Sequence, residues 1–141
     1  MTTRTATARY EGLGKDGKGS LSTQSGVLKD QFYAFNTRFG EDPGTNPEEL
    51  IAAAHAGCFT MALSFAPARA GFADGTLETK AAVKLEQGDG GFTITRSDLT
   101  LAASVPGIDP ARFAEIAAEA KANCPVSKLL NAEITLTHTL S

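Results

Sequence analysis

The stretch Thr45-Asn46-Pro47-Glu48-Glu49-Leu50-Ile51-Ala52-Ala53-Ala54-His55-Ala56-Gly57-Cys58-Phe59 decides the architecture. Asn46 offers a side-chain oxygen to the first unpaired N–H groups of a helix. Pro47 suits the first helical position, where its missing N–H costs nothing, and acids in the first turn complement the helix dipole. Glu49, three residues after Asn46, stands where a capping-box acid reaches back to the cap N–H. The helix is expected to run through Thr60 to Phe65 and to be ended by Pro67 and Gly71. It is apolar on nearly every face, and such a helix is buried in a core or at a subunit interface. In a chain of 141 residues this points to an oligomer.

Working outward from that helix, residues 4–10 alternate loosely and read as a strand, followed by a Gly- and Lys-rich turn from Glu11 to Gly19. Leu21 to Ser25 and Gln31 to Phe35 read as two more strands, completing a small antiparallel meander, and Arg38 to Gly44 reads as a loop. Downstream, 76–86 and 92–103 form an expected hairpin, with Gly88-Asp89-Gly90-Gly91 as its turn. Asp109-Pro110 opens a second helix whose apolar face carries Phe113, Ile116, Ala117 and Ala120. It stops near Asn123-Cys124-Pro125, because the residue before a proline disfavours helix. Pro125 can begin a short helical turn through Leu130, and 132–140 alternate cleanly as a last strand. The predicted order is β-β-β-α-β-β-α-β, an α+β fold in a single domain, 1–141.

Composition narrows the function. The net charge is −3 and no basic patch stands out, which argues against a nucleic-acid partner. No run of 18 apolar residues occurs, which argues against a membrane span. Met1-Thr2-Thr3-Arg4-Thr5 lacks the apolar segment of a secretory signal, so a cytoplasmic location is expected. Structural disulfides are rare in that compartment. The two cysteines are therefore expected to be catalytic, metal-binding or inert. Cys58, Cys124, His55 and His138 could together supply four zinc ligands, but their spacing matches no zinc module, and neither metal nor cofactor is expected.

A thiol attacks a peroxide only as thiolate, which needs a cation or a helix N-terminus nearby. Cys58 lies about three turns into its helix, beyond the reach of the dipole at the start. It is either a small buried hydrophobe or a nucleophile activated from elsewhere. Cys124 precedes Pro125 and occupies the N-cap of the following turn, a position that lowers a thiol pKa, although it could equally just end the preceding helix. As a pair the two could cycle between sulfenic acid and disulfide, provided their Cα atoms come within about 7 Å. His55, three residues before Cys58, could pair with it, but a core imidazole with hydrogen-bonded nitrogens is the plainer expectation. His138 lies on the alternating terminal strand with no assigned role.

The segment Gly44 to Phe59 strongly resembles the OsmC/Ohr family of thiol peroxidases, and so does Lys121-Ala122-Asn123-Cys124-Pro125-Val126-Ser127. Ser22 to Leu28, Phe35-Asn36-Thr37-Arg38-Phe39 and Val105 to Asp109 match as well, so the resemblance covers nearly the whole chain. Phe35 to Phe39 and the His-containing helix resemble the OsmC branch. The resemblance implies an intertwined homodimer with two central helices wrapped by sheets and active sites at the interface. It implies reduction of organic hydroperoxides, with Cys58 as the attacking thiol and Cys124 as its resolving partner in an intramolecular disulfide. Arg38 and Glu48 would flank the thiol, and a dithiol or a lipoyl group on a protein would restore it.

Those assignments make physical sense. Arg38 is always charged and presents a rigid fork of donors, suited to a thiolate and, with Glu48, to a peroxide oxygen. Glu49 is the better capping acid, which leaves Glu48 free. Glu48 and Cys58 are ten residues apart on one helix, roughly 15 Å along its axis. Either Glu48 serves the thiol of a second chain or the helix breaks between them. The competing functions on the same fold are a redox sensor without turnover and a carrier of apolar ligands. Phe32, Phe35, Phe39 and Phe59 are the candidates for an apolar pocket.

Overall fold

A computed structural model describes residues 1–141 as a mixed α+β chain of two units, Met1–Leu50 and Ile51–Ser141. In the first unit, β1 (Ala6–Glu11), β2 (Lys18–Thr23) and β3 (Gln31–Tyr33) form an antiparallel sheet in the order β1-β2-β3. The meander is as expected, but β2 begins at Lys18, inside the predicted turn, and ends at Thr23, and the third strand is shorter. At Ala34 the chain turns into a five-residue helix, α1 (Phe35–Phe39), where a strand end and a loop were predicted. Thr37 explains the switch: its hydroxyl accepts from the Ala34 N–H at 2.8 Å and donates to the Ala34 carbonyl at 2.9 Å. Side-chain bonds of this kind divert a backbone from extended structure.

The helix α2 (Pro47–Arg69) starts as its sequence dictates. Asn46 Oδ1 accepts from the Glu49 N–H at 2.8 Å, which makes Asn46 the N-cap. The reciprocal half of a capping box is replaced: the Glu49 carboxylate accepts from the Thr45 hydroxyl at 3.1 Å. Pro67 does not end the helix. It sits inside the last turn, and the stop comes from Gly71, at φ 95°. There the Gly71 N–H bonds to the Ala68 carbonyl and the Phe72 N–H to the Pro67 carbonyl, the Schellman pattern that a left-handed glycine permits.

In the second unit, β4 (Thr76–Gly88) and β5 (Gly91–Ser104) form the expected hairpin, longer than read by one to two residues at most ends. β6 (Glu133–Leu140) adds in parallel to β5, from Arg96 opposite Glu133 to Ala103 opposite Leu140. A parallel neighbour needs a crossover. Here it is α3 (Pro110–Asn123) followed by α4 (Pro125–Leu129). Asp109 caps α3 by accepting from the Arg112 N–H at 3.1 Å. The predicted face of Phe113, Ile116, Ala117 and Ala120 is the buried one. It joins Phe59 and Leu63 of α2 and Leu99, Leu101 and Ala103 of β5 in one core. Each large side chain buried there stabilises the fold by about 1.5–3 kcal/mol.

Within one chain, α2 is buried along a single stripe and not on every face. Only the stripe His55, Phe59, Leu63 and Pro67 is buried, while Met61 and Phe65 are 66% and 54% exposed. Ala53, Ala54 and Gly57 are exposed on the same side. By length and composition α2 would also qualify as a membrane span. Its buried stripe instead packs against β5 and α3, as in the core helix of a folded domain.

Candidate active site

Two pairs of predicted site residues come together, one in each unit. In the second unit, Cys58 of α2 meets Cys124, the residue that ends α3 and begins α4. The two sulfurs lie close enough for each to shift the ionisation of the other, although 66 positions separate them in the chain. Cys124 is 1% exposed and Cys58 half-buried. Cys124 holds its place because Pro125 forbids continuation of α3 and is well suited to begin α4.

The surroundings of the two sulfurs differ. Burial pushes the Cys58 thiol up, outweighing the one favourable contact, from the Val126 N–H. The neighbouring Cys124 sulfur pushes it up further, and no cation offsets this. Burial also acts to raise Cys124, but the Cys58 thiol, the N–H and hydroxyl of Ser127 and the Val126 N–H together hold it below its ordinary value. Cys124 stands at the N-cap of α4 as expected, but its sulfur takes no capping hydrogen bond there. Cys58 gains no net lowering within its own unit.

His55 is fully buried, with Nδ1 2.6 Å from Ser97 Oγ and Nε2 2.8 Å from Ser127 Oγ. Burial lowers its pKa, and the ring is neutral at pH 7. It is the hydrogen-bonded core imidazole that was expected, and Ser127, its partner at Nε2, stands three residues after Cys124. Ser97 and Ser127 were missed. A signal existed for Ser97: it shares the inward-facing positions of β5 with Leu99, Leu101 and Ala103, where a hydroxyl needs a buried partner. His138 is exposed, its ring tilted against Phe113 at 5.9 Å.

In the first unit, Arg38 is exposed but lies on a helix, not a loop. It closes α1 and grips Glu48: Arg38 Nε donates to both carboxylate oxygens at 3.1 Å and Nη2 donates to Oε1 at 2.6 Å. These contacts use two of the five guanidinium N–H groups and leave the others free to face a ligand. Beside this pair lies a cavity of about 490 Å³ lined by Tyr10, Tyr33, Phe35, Phe39, Pro47 and the Arg38 side chain, among others. Phe35 and Phe39 were expected in an apolar pocket. Phe59 was too, but it lies in the core at 0% exposure, and Phe32 does not line the cavity. Tyr10 and Tyr33 complete the wall instead, because strand alternation and the β2 register bring their rings to 6.0 Å.

Glu48 and Cys58 share α2, which is unbroken from Pro47 to Arg69. The helix is therefore not interrupted between them, and ten residues of ideal helix rise by about 15 Å.

The sequence matches the family model described as OsmC-like protein over residues 40–139. It is 54% identical over 133 residues to Peroxiredoxin OsmC of Escherichia coli, covering 94% of this chain and 93% of that one. It is 31% identical over 111 residues to Organic hydroperoxide resistance protein OhrB of Bacillus subtilis, covering 78% and 79%. Among solved structures, the organic hydroperoxide resistance protein of Elizabethkingia anophelis superposes with a TM-score of 0.72 at 28% identity, covering 100% of this chain and 96% of that one. The two thiols brought together by α2 and α4, in a chain with these relatives, place it in the OsmC/Ohr family, on the OsmC branch.

Proposed function

We propose that this chain is a cysteine-based peroxidase that reduces organic hydroperoxides to alcohols, working as one OsmC-like domain in a homodimer. The observation that carries the proposal is the contact between Cys58 and Cys124. The Cys58 thiolate attacks the outer oxygen of the hydroperoxide. The O–O bond breaks, Cys58 becomes a sulfenic acid, and the alkoxide leaves as alcohol after taking a proton. Cys124 then attacks the Cys58 sulfur, and the S–O bond breaks with loss of water. A dithiol, free or as a protein-bound lipoyl group, reduces the disulfide and is itself oxidised. Both thiols start the cycle reduced, which suits the cytoplasm.

Arg38 and Glu48 supply what Cys58 lacks. The guanidinium is oriented by Glu48 and keeps free donors for a thiolate and a peroxide oxygen. The aromatic cavity beside it suits an organic tail better than hydrogen peroxide. The unbroken helix supports delivery of this pair to the thiol of a partner subunit. The exposed stripe of α2 with Met61 and Phe65 supports a second copy as its cover.

The test is peroxide loss on mixing the protein with cumene hydroperoxide and a dithiol. Steady consumption is expected, abolished in Cys58→Ser. In Cys124→Ser a trappable sulfenic acid should form without turnover. Unchanged peroxide would refute the proposal and leave a redox sensor or a carrier. Activity that survives in fully dissociated, folded monomers would refute the shared site.

A further inference from the structure

The aromatic cavity of the first unit carries a charge that the reaction leaves unused. Two cations line it, Arg38 and Lys15, and no acidic side chain does. Glu48 offsets Arg38 by accepting from its guanidinium. Lys15 has no such partner, since neither an ion pair nor a hydrogen bond holds its ammonium. Its Nζ lies 5.1 Å from the centroid of the Phe35 ring. That contact sets the charge against the ring face and leaves the three N–H donors free. The cavity therefore has a net positive charge, and it belongs to Lys15.

The position of Lys15 is built by the fold. It lies in the short 3-10 turn Gly14–Asp16, which Tyr10 holds on both sides. The Tyr10 hydroxyl donates to the Gly14 carbonyl at 2.8 Å. Gly17 lies flat on the same ring, where a Cβ would collide with it, so the chain can pass this close only as glycine. Beyond Lys15 the contacts run in a row. The Phe35 and Phe39 ring centroids are 4.9 Å apart, and Arg38 Cζ lies 5.3 Å from the Phe39 centroid. The order is cation, ring, ring, cation, with one cation already paired and the other free.

We propose that Lys15 is a specificity-determining residue that binds a carboxylate at the far end of the substrate, so that the cavity favours hydroperoxides carrying a carboxylate over neutral ones. The proposal rests on the reading of Arg38 and Glu48 as the groups that hold the peroxide end. The apolar stretch between the two ends lies on Phe35 and Phe39. A carboxylate matches the single charge of Lys15, whereas a phosphate monoester carries nearly two and leaves one unmatched. Lys15 is exposed, so solvent screens the pairing and holds its effect to about fivefold.

The experiment compares octanoate carrying a hydroperoxide on its terminal carbon with the methyl ester of the same compound. The two share a chain and differ in charge. The acid-to-ester ratio of kcat/KM should exceed one in the parent and fall about fivefold in Lys15→Met, which keeps the apolar stem. The change should lie in KM, because a remote group is bound equally in the ground and transition states. Lys15→Arg should keep the ratio and Lys15→Glu should invert it. Added salt should lower the ratio in the parent and not in Lys15→Met. A parent that does not distinguish acid from ester, or a Lys15→Met variant that keeps the parent's ratio, overturns the proposal. A Lys15→Met variant that loses rate equally on both substrates, with a shifted pH profile, assigns Lys15 to the thiol and overturns it as well. A parent that consumes neither compound overturns the underlying peroxidase reading instead.

Discussion

Replacing Arg38 with alanine removes the guanidinium from the Arg38–Glu48 fork and, in the proposed dimer, leaves Cys58 without a counter-charge. A free cysteine titrates near 8.5 and is only about 3% thiolate at pH 7. Cys58 starts from a worse position, since burial and the Cys124 sulfur both push it up. A thiol beside a cation typically falls to about 7.5 or lower and is then a quarter or more thiolate at pH 7. Ionisation alone therefore accounts for a loss of roughly 10- to 30-fold in Arg38→Ala. Removing a donor aimed at the departing alkoxide costs about another 10²-fold, for a total near 10³. The sign with pH separates the two parts. If Arg38 serves Cys58 as proposed, it favours the thiolate, and its removal shifts the acid limb of the rate profile upward. Raising the pH from 7 to 9.5 should then recover the ionisation part and not the rest. The assay is the single-turnover rate of cumene hydroperoxide with reduced protein across that range. A variant within fivefold of the parent at pH 7, with the same profile, would refute the reasoning.

Three further outcomes follow from the packing and the buried imidazole. Phe59→Ala, at a position with 0% exposure, should cost about 3–5 kcal/mol in urea denaturation. Gly71→Ala meets no neighbouring atom within 4 Å, so its cost is purely conformational, about 1–2 kcal/mol for a side chain at φ 95°. His55 has a depressed pKa in the fold, so its stabilising contribution is complete above about 6.5 and is lost as the pH falls through the folded value. Urea midpoints measured from pH 7.5 to 5 should fall with a slope of at most about 1.4 kcal/mol per pH unit from this group. A His55→Gln variant should lose that part of the slope.

The features that could be read in the sequence are those decided by neighbours in the chain. Asn46-Pro47 and Asp109-Pro110 cap helices because a side-chain oxygen and a proline act within one turn. The apolar face of α3 follows from its own period. Alpha1 was illegible because five residues hold little more than one helical turn, and Phe35 to Phe39 lacks the length to show a period. Pro67 misled because a proline costs a helix least when the next turn is already closing on a left-handed glycine. The site divides the same way. Cys124 as an N-cap was legible from Pro125. Its contact with Cys58 and the Ser97–His55–Ser127 chain was not, since both depend on how α2, β5 and α4 pack across more than 40 residues of sequence. The Arg38–Glu48 fork was foreseen only through family resemblance, because local chemistry favoured a solvated loop arginine.

The most direct test of the account is mass analysis of reduced protein treated with one equivalent of cumene hydroperoxide. The account predicts a chain lighter by two hydrogens, with the linked peptides carrying Cys58 and Cys124 and one equivalent of peroxide consumed. A chain that consumes no peroxide, or one whose Cys58 gains oxygen while Cys124 remains a free thiol, would contradict it.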